Sequence, residues 1–119
     1  MKLLTLILMF LIVASAGATE INHLIDSQPA DVFTKGEKVY KQYCMACHAP
    51  SNIMVSSPKF GDRKDWGERL ANNKTLEVLV KSAVRGKNAM PKKGRCVNCK
   101  ESDLKSAVLF MMRGEVATN

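Results

Sequence analysis

The stretch GEKVYKQYCMACH, Gly36 to His48, ends in Cys44-Met45-Ala46-Cys47-His48, and the reading of that ending decides the fold. Cys44 and Cys47 stand three residues apart, so on a helix both sulfurs face one side and can reach the two vinyl groups of one porphyrin as thioethers. His48 comes four residues after Cys44, at the end of the same turn, where its imidazole can meet the iron. The pattern marks Cys44 and Cys47 as attachment points of one haem c and His48 as an axial ligand. A rival reading draws Cys44, Cys47, Cys96 and Cys99 as a four-cysteine zinc ribbon. The long gap between the pairs, and a histidine in the one place where haem ligation needs it, weigh against zinc.

Outward from the motif, helical signals dominate. Thr34 is a candidate N-cap with Glu37 three residues on, a capping-box pattern, and Gly36, Tyr40, Tyr43 and Cys47 recur at spacings that predict one shared helix side. A second short helix starts at Asp62 and carries Trp66 and Leu70. A third has the apolar stripe Leu76, Leu79, Val80, Ala83 and Val84 and stops at Gly86. The last runs from a Ser102 cap through Leu104, Ala107, Val108, Phe110 and Met111 to Gly114. No stretch sustains the period-2 alternation of a strand, so the chain reads as all-α. Residues 49–61 and 87–100 are irregular, and each adjoins one cysteine pair. Residues 19–31 have weak periodicity and read as a loose arm or half-formed helix.

The first eighteen residues carry a different message. Lys2, the apolar run 3–13 interrupted only by Thr5, and small residues with A-x-A spacing ending at Ala16 or Ala18 predict a cleaved secretory signal. The run is shorter than the roughly 20 residues of a spanning helix, and no cysteine precedes Cys44, so no membrane or lipid anchor is expected. The expected division is a signal peptide at 1–18, an N-terminal arm at 19–33 and a haem domain at 34–119. Export implies the periplasm, where paired thiols close into disulfides or are consumed by cofactor chemistry.

The formal net charge of the whole chain is +7, and residues 81–100 hold seven basic and no acidic side chains. Outside the cytoplasm nucleic acid is not an expected partner. The run reads either as a solvated face or, since Lys87, Lys92, Lys93 and Arg95 flank a loop that should border the haem, as a docking rim for redox proteins with acidic surfaces.

A low-spin haem iron held by histidine wants a second axial ligand. Met45 lies inside the attachment motif, Met54 follows His48 too closely to pass the porphyrin edge, and Met111 and Met112 belong to a helix stripe that wants core contacts. Met90 sits in a loop and precedes Pro91, which biases it towards an extended backbone and lets it project. His23, in the weakly patterned arm, is the rival.

The motifs GEKVYKQYCMACH (36–48), SPKFGDRKDW (57–66) and AMPKKGRCVNCKESDLKSAV (89–108) together resemble a class I c-type cytochrome, most closely the cytochrome c5 family. The resemblance covers most of the chain after the signal. It implies a small monohaem fold of four to five short helices wrapped around one covalent haem, with the N- and C-terminal helices crossing at Gly36 and Tyr40 packing against Ala107, Phe110 or Met111. It also implies that Pro58 offers its carbonyl to His48 and that Cys96 and Cys99 form a disulfide just after the axial methionine, Lys100 standing where a second haem motif would need histidine. Trp66 and Arg69 are candidate haem-propionate contacts, with a core role for Trp66 equally open. The implied activity is not enzymatic. It is one-electron transfer between respiratory reductases and oxidases in the membrane or periplasm, with a haem-based ligand sensor or a haem domain serving a redox enzyme as the alternative.

Overall fold

The computed structural model describes residues 16–73 and 75–114. Among them are five α-helices of ten to thirteen residues: α1 (Ala16–Asp26), α2 (Ala30–Val39), α4 (Arg63–Asn73), α5 (Leu76–Arg85) and α6 (Glu101–Arg113). Between α2 and α4 lie a π-helical turn, Tyr40–Cys44, and the one-turn helix α3, Met45–His48. A 3-10 turn, Lys92–Arg95, precedes α6. The described residues form no strand, only an isolated bridge pairing Lys87 with Met90. The fold is all-α.

Local hydrogen bonds explain most of the helix ends. Asp62 accepts the Asp65 N–H at 3.0 Å and caps α4, and the Thr75 hydroxyl accepts the Val78 N–H at 3.3 Å and caps α5. Two expected caps are corrected. Thr34 lies inside α2, which begins at Ala30 behind the extended Pro29, and its hydroxyl donates to the Ala30 carbonyl. Ser102 lies inside α6, whose start is held by the Asp103 carboxylate accepting the Lys100 N–H at 2.7 Å. That is half of a capping box, built without a Ser or Thr at the cap position.

Helix α2 crosses α6 where α2 has no side chain: a Cβ on Gly36 would overlap the Ser106 carbonyl oxygen and meet Phe110 Cβ at 2.9 Å. Tyr40, Phe60 and Phe110 cluster beside this crossing with ring centroids 5.1–5.5 Å apart. Nearly the whole circumference of α6 is buried, from Leu104 to Met112, so it is the central element of the core. At its end the Arg113 guanidinium lies 4.2 Å from the centre of the Phe33 ring.

Of the two readings for residues 19–31, a loose arm or a half-formed helix, the structure favours the helical one, as α1. Ile21 and Ile25 are buried and Leu24 partly so, an i, i+3, i+4 stripe that packs against α4. Such a short stripe is too little to hold a helix in isolation, and tertiary contact supplies the rest. The expected signal peptide falls largely on residues 1–15, outside the described residues. Its two candidate ends, Ala16 and Ala18, lie in the first turn of α1. No helix of the described residues is long and apolar enough to cross a membrane.

Candidate haem site

The cysteine motif sits on a helix whose period changes just before it. Met45 N–H donates to the Tyr40 carbonyl, five residues back, where a regular α-helix would reach only four. Burial then falls on Gly36, Tyr40, Cys44 and His48, every fourth residue. An α-helix drifts about 40° over each such step, so the three steps from Gly36 would carry His48 well off the buried face. The wider π turn takes up that drift and keeps Cys44 and His48 in line with the α2–α6 crossing. The expected shared side of Gly36, Tyr40, Tyr43 and Cys47 is corrected accordingly, since Tyr43 and Cys47 are exposed.

Cys44 and Cys47 are both free thiols, Cys44 buried and Cys47 open to solvent. Burial, and then the neighbouring Cys47, push the Cys44 thiol up to about 11, so it stays protonated and lies 3.8 Å from the Val39 carbonyl. Burial likewise raises the Tyr40 hydroxyl above its usual range.

His48 is only 7% exposed, and its Nδ1 lies 2.7 Å from the Pro58 carbonyl oxygen. A carbonyl can only accept, so Nδ1 carries the proton and Nε2 keeps its lone pair for a metal. Burial pushes the imidazole below its usual range, the Pro58 hydrogen bond opposes this, and the positive charges of Lys59 and Arg69 push the same way as burial. The ring is therefore neutral and a competent donor at neutral pH.

The loop after the motif is folded onto it by polar contacts. Asn52 donates from Nδ2 to the Ala46 carbonyl at 2.6 Å and accepts the N–H groups of Met54 and Val55. Phe60 N–H donates to the His48 carbonyl at 2.8 Å, and the Trp66 indole donates to the Lys59 carbonyl at 2.9 Å. Trp66 is thus a core residue with its polar atom committed to the loop. Arg69 bonds Asp65 through Nε at 2.9 Å.

Met90 ends a tight turn after α5. Met90 N–H donates to the Lys87 carbonyl and Lys87 N–H to the Met90 carbonyl, at 2.9 and 3.1 Å. Gly86, at φ +80°, makes the turn possible, because a Cβ there would come within 2.8 Å of the Met90 carbonyl. The Met90 side chain is half-buried, and its Cε lies 4.0 Å from where a Cβ on Gly94 would sit, beside the Tyr43 carbonyl. The methionine loop therefore leans on the turn that carries Cys44. Cys96 and Cys99 are joined as a disulfide, both buried.

Lys93, Gly94 and Arg95 are consecutive left-handed residues. The Lys93 ammonium folds back onto the Cys99 carbonyl at 2.8 Å, so it is a strut of this loop. The expected basic rim keeps Lys87, Lys92 and Arg95, all exposed.

The remaining candidates fall elsewhere. His23 is exposed on α1, whose buried face packs against α4. Met45 and Met54 are exposed, and Met111 and Met112 are buried in the core. Cys96 and Cys99 are bonded to each other, so the structure does not present the four cysteines as a set of zinc-binding thiolates. Two free thiols beside a neutral histidine with an available Nε2, and a thioether on a braced loop, fit a haem c. The pattern reading missed Lys59, Ser57 and Asn52, which hold the loop. In a chain with 18 basic residues a single lysine beside a proline carries no signal of its own.

Comparison with known proteins agrees with the geometry. Residues 31–111 match the family described as cytochrome c oxidase, cbb3-type, subunit III. Cytochrome c5 of Azotobacter vinelandii is 37% identical over 73 residues, 61% of this chain and 86% of that protein. Cytochrome c5 of Ectopseudomonas mendocina is 33% identical over 75 residues, 63% and 84% of the two chains. Cytochrome c-555 of Chlorobaculum tepidum is 30% identical over 81 residues, 65% and 71%. No solved structure gives a match. Coverage of most of each cytochrome c5, together with the attachment motif and the all-α fold, establishes that the chain belongs to the class I c-type cytochromes, as a cytochrome c5-like member whose cofactor is a covalently attached haem c.

Proposed function

We propose that the protein is a periplasmic one-electron carrier whose haem c is bound as thioethers by Cys44 and Cys47 and ligated axially by His48 and Met90. The observation that carries this reading is the His48–Pro58 hydrogen bond, which leaves Nε2 as the donor atom next to two free thiols. The haem supplies a one-electron iron couple. The protein supplies the rest. Pro58 fixes the imidazole tautomer, the Lys87–Met90 turn presents the thioether sulfur, and the α2–α6 crossing keeps water from the buried side of Cys44 and His48. Were His48 and Met90 both to hold the iron, no position would be left for a substrate, which supports a carrier over a haem enzyme or ligand sensor. Lys87, Lys92 and Arg95 suit partners with acidic docking surfaces, such as respiratory reductases and oxidases.

The match to an oxidase-subunit family favours one second reading, a haem domain that serves a redox enzyme from within its complex. The experiment is purification of the native protein followed by absorption spectra, oxidised and dithionite-reduced. A carrier elutes as a small red protein with a weak far-red sulfur-to-iron band when oxidised, and Met90→Ala loses that band and binds imidazole while His23→Ala does not. Co-purification with an oxidase would favour the second reading, and a band unchanged in Met90→Ala would refute the ligand assignment.

A further inference from the structure

We propose that Lys59 is a positioning residue for the axial histidine: its ammonium clamps the segment bearing the Pro58 carbonyl onto the backbone of the cysteine motif. The inference rests on His48 being the iron ligand and goes beyond that reading by naming what holds it. Lys59 Nζ donates to the Cys47 carbonyl at 3.0 Å, the Val55 carbonyl at 2.8 Å and Ser57 Oγ at 2.9 Å. An ammonium has three N–H donors, and all three are used. Ser57 Oγ donates to the same Cys47 carbonyl at 2.6 Å. Pro58 is therefore bracketed in sequence by two residues tied to one carbonyl, that of the residue before His48.

The rest of the segment is held from the other side. Phe60 N–H reaches the His48 carbonyl, and the Trp66 indole reaches the Lys59 carbonyl. Pro58 itself has no N–H to anchor its own backbone, so apart from the His48 hydrogen bond its carbonyl is placed by its neighbours. Cys47 and His48 are the last residues of α3, where backbone carbonyls lack helical partners and a cation is favoured. Hydrogen bonds from a charged donor are roughly twice as strong as neutral ones, which makes Lys59 the stiffest member of the clamp. Its ammonium sits on the carbonyl of the residue that precedes His48, which brings a fixed positive charge to the histidine end of the motif. A fixed positive charge there would disfavour adding positive charge to a haem held by His48, and so would favour the reduced protein.

The test uses haem-loaded protein with Lys59→Arg, Lys59→Gln and Lys59→Met. In the reduced state, hydrogen exchange of the His48 Nδ1–H by NMR reports how firmly Pro58 is held, and redox titration reports the electrostatic consequence. We expect about tenfold faster exchange in Lys59→Met, the effect of losing roughly one charge-assisted hydrogen bond. The reduced-to-oxidised ratio at fixed potential should fall several-fold, with tenfold corresponding to ~59 mV. Lys59→Gln should recover part of the slow exchange but not the potential, and Lys59→Arg should recover both. If Lys59→Met does not fold, Lys59→Gln and Lys59→Arg carry the comparison.

Wild-type exchange in Lys59→Met, whatever its melting temperature or potential, would overturn the clamp, because a charge effect or a stability effect alone does not position His48. Equal acceleration in Lys59→Arg and Lys59→Met would overturn it too. Failure of the underlying reading is separately visible: wild-type protein without covalent haem, or His48→Ala with an unchanged spectrum, would remove the ligand assignment and this inference with it.

Discussion

Replacing Gly36 by alanine tests whether the α2–α6 crossing frames the site. On an open helix surface the change should stabilise, since alanine is favoured over glycine by about 1 kcal/mol in a helix interior. Here the new Cβ overlaps the Ser106 carbonyl oxygen, lies 2.6 Å from its carbon and 2.9 Å from Phe110 Cβ. Two of these atoms are backbone and cannot swing aside, so α2 and α6 must separate. Overpacking costs about 1–3 kcal/mol, and a clash with backbone belongs at the upper end. The net expectation is a loss of about 2 kcal/mol, or roughly 8–16 °C in Tm for a domain of this size. Thermal unfolding of the holoprotein, followed by far-UV circular dichroism and by the haem band, measures it. Because Tyr40 and Cys44 continue the same helix, the haem band should broaden before the backbone signal is lost. A melting temperature equal to or above wild type would refute the close crossing.

Further expectations concern charge and the methionine loop. The Lys35 ammonium, then the Lys100 N–H, hold the Asp103 carboxyl below its usual range. A depressed folded value means that its stabilisation is present above the unfolded value of about 3.9 and fades as pH falls through the folded one. Asp103→Asn should therefore melt below wild type at pH 7 and converge with it in acid. A gap that does not change with pH would contradict this. Cys96→Ser with Cys99→Ser should keep the haem and lose at most about 2 kcal/mol, because the bridge closes a very short ring. In a denaturant titration its far-red band should vanish before global unfolding, whereas coincident loss would show the bridge does not brace Met90. Lys87→Glu with Lys92→Glu should slow electron transfer to an acidic partner at low ionic strength. The wild-type rate should fall as salt screens charges over about 8 Å near physiological strength, and a rate flat in salt would leave these residues as solvent-facing charge only.

How much of this was legible in the sequence depended on the kind of interaction involved. The cysteine motif stands out in the sequence because covalent haem attachment asks for particular residues at particular spacing. Helices α4 and α5 were legible because Asp62 and Gly86 act on their own neighbours in the chain and the stripe Leu76, Val80 and Ala83 keeps helical spacing, whereas the Thr75 cap was not read. The caps at Thr34 and Ser102 were misread because several polar residues near a helix start compete, and the winner is chosen by where the chain enters, at Pro29 and Lys100. The π turn was invisible to a 3.6-residue period, and it decides which of Tyr43, Cys44 and Cys47 is buried. Helix α1 was underrated because its short stripe, Ile21, Leu24 and Ile25, is stabilised by α4, more than thirty residues away in the chain. Lys59 was missed for the same reason, since its role depends on carbonyls of residues 47 and 55 that only the fold brings to it.

Covalent attachment through Cys44 and Cys47 is tested by the mass and pyridine haemochrome spectrum of the purified protein after denaturation, compared with Cys44→Ala and Cys47→Ala. One haem should remain bonded to the unfolded wild-type chain, with a haemochrome band characteristic of two thioethers. That band should shift for a single thioether, or the haem should be lost, in each variant. Haem released from wild type on unfolding, or an unchanged spectrum in Cys44→Ala, would contradict it.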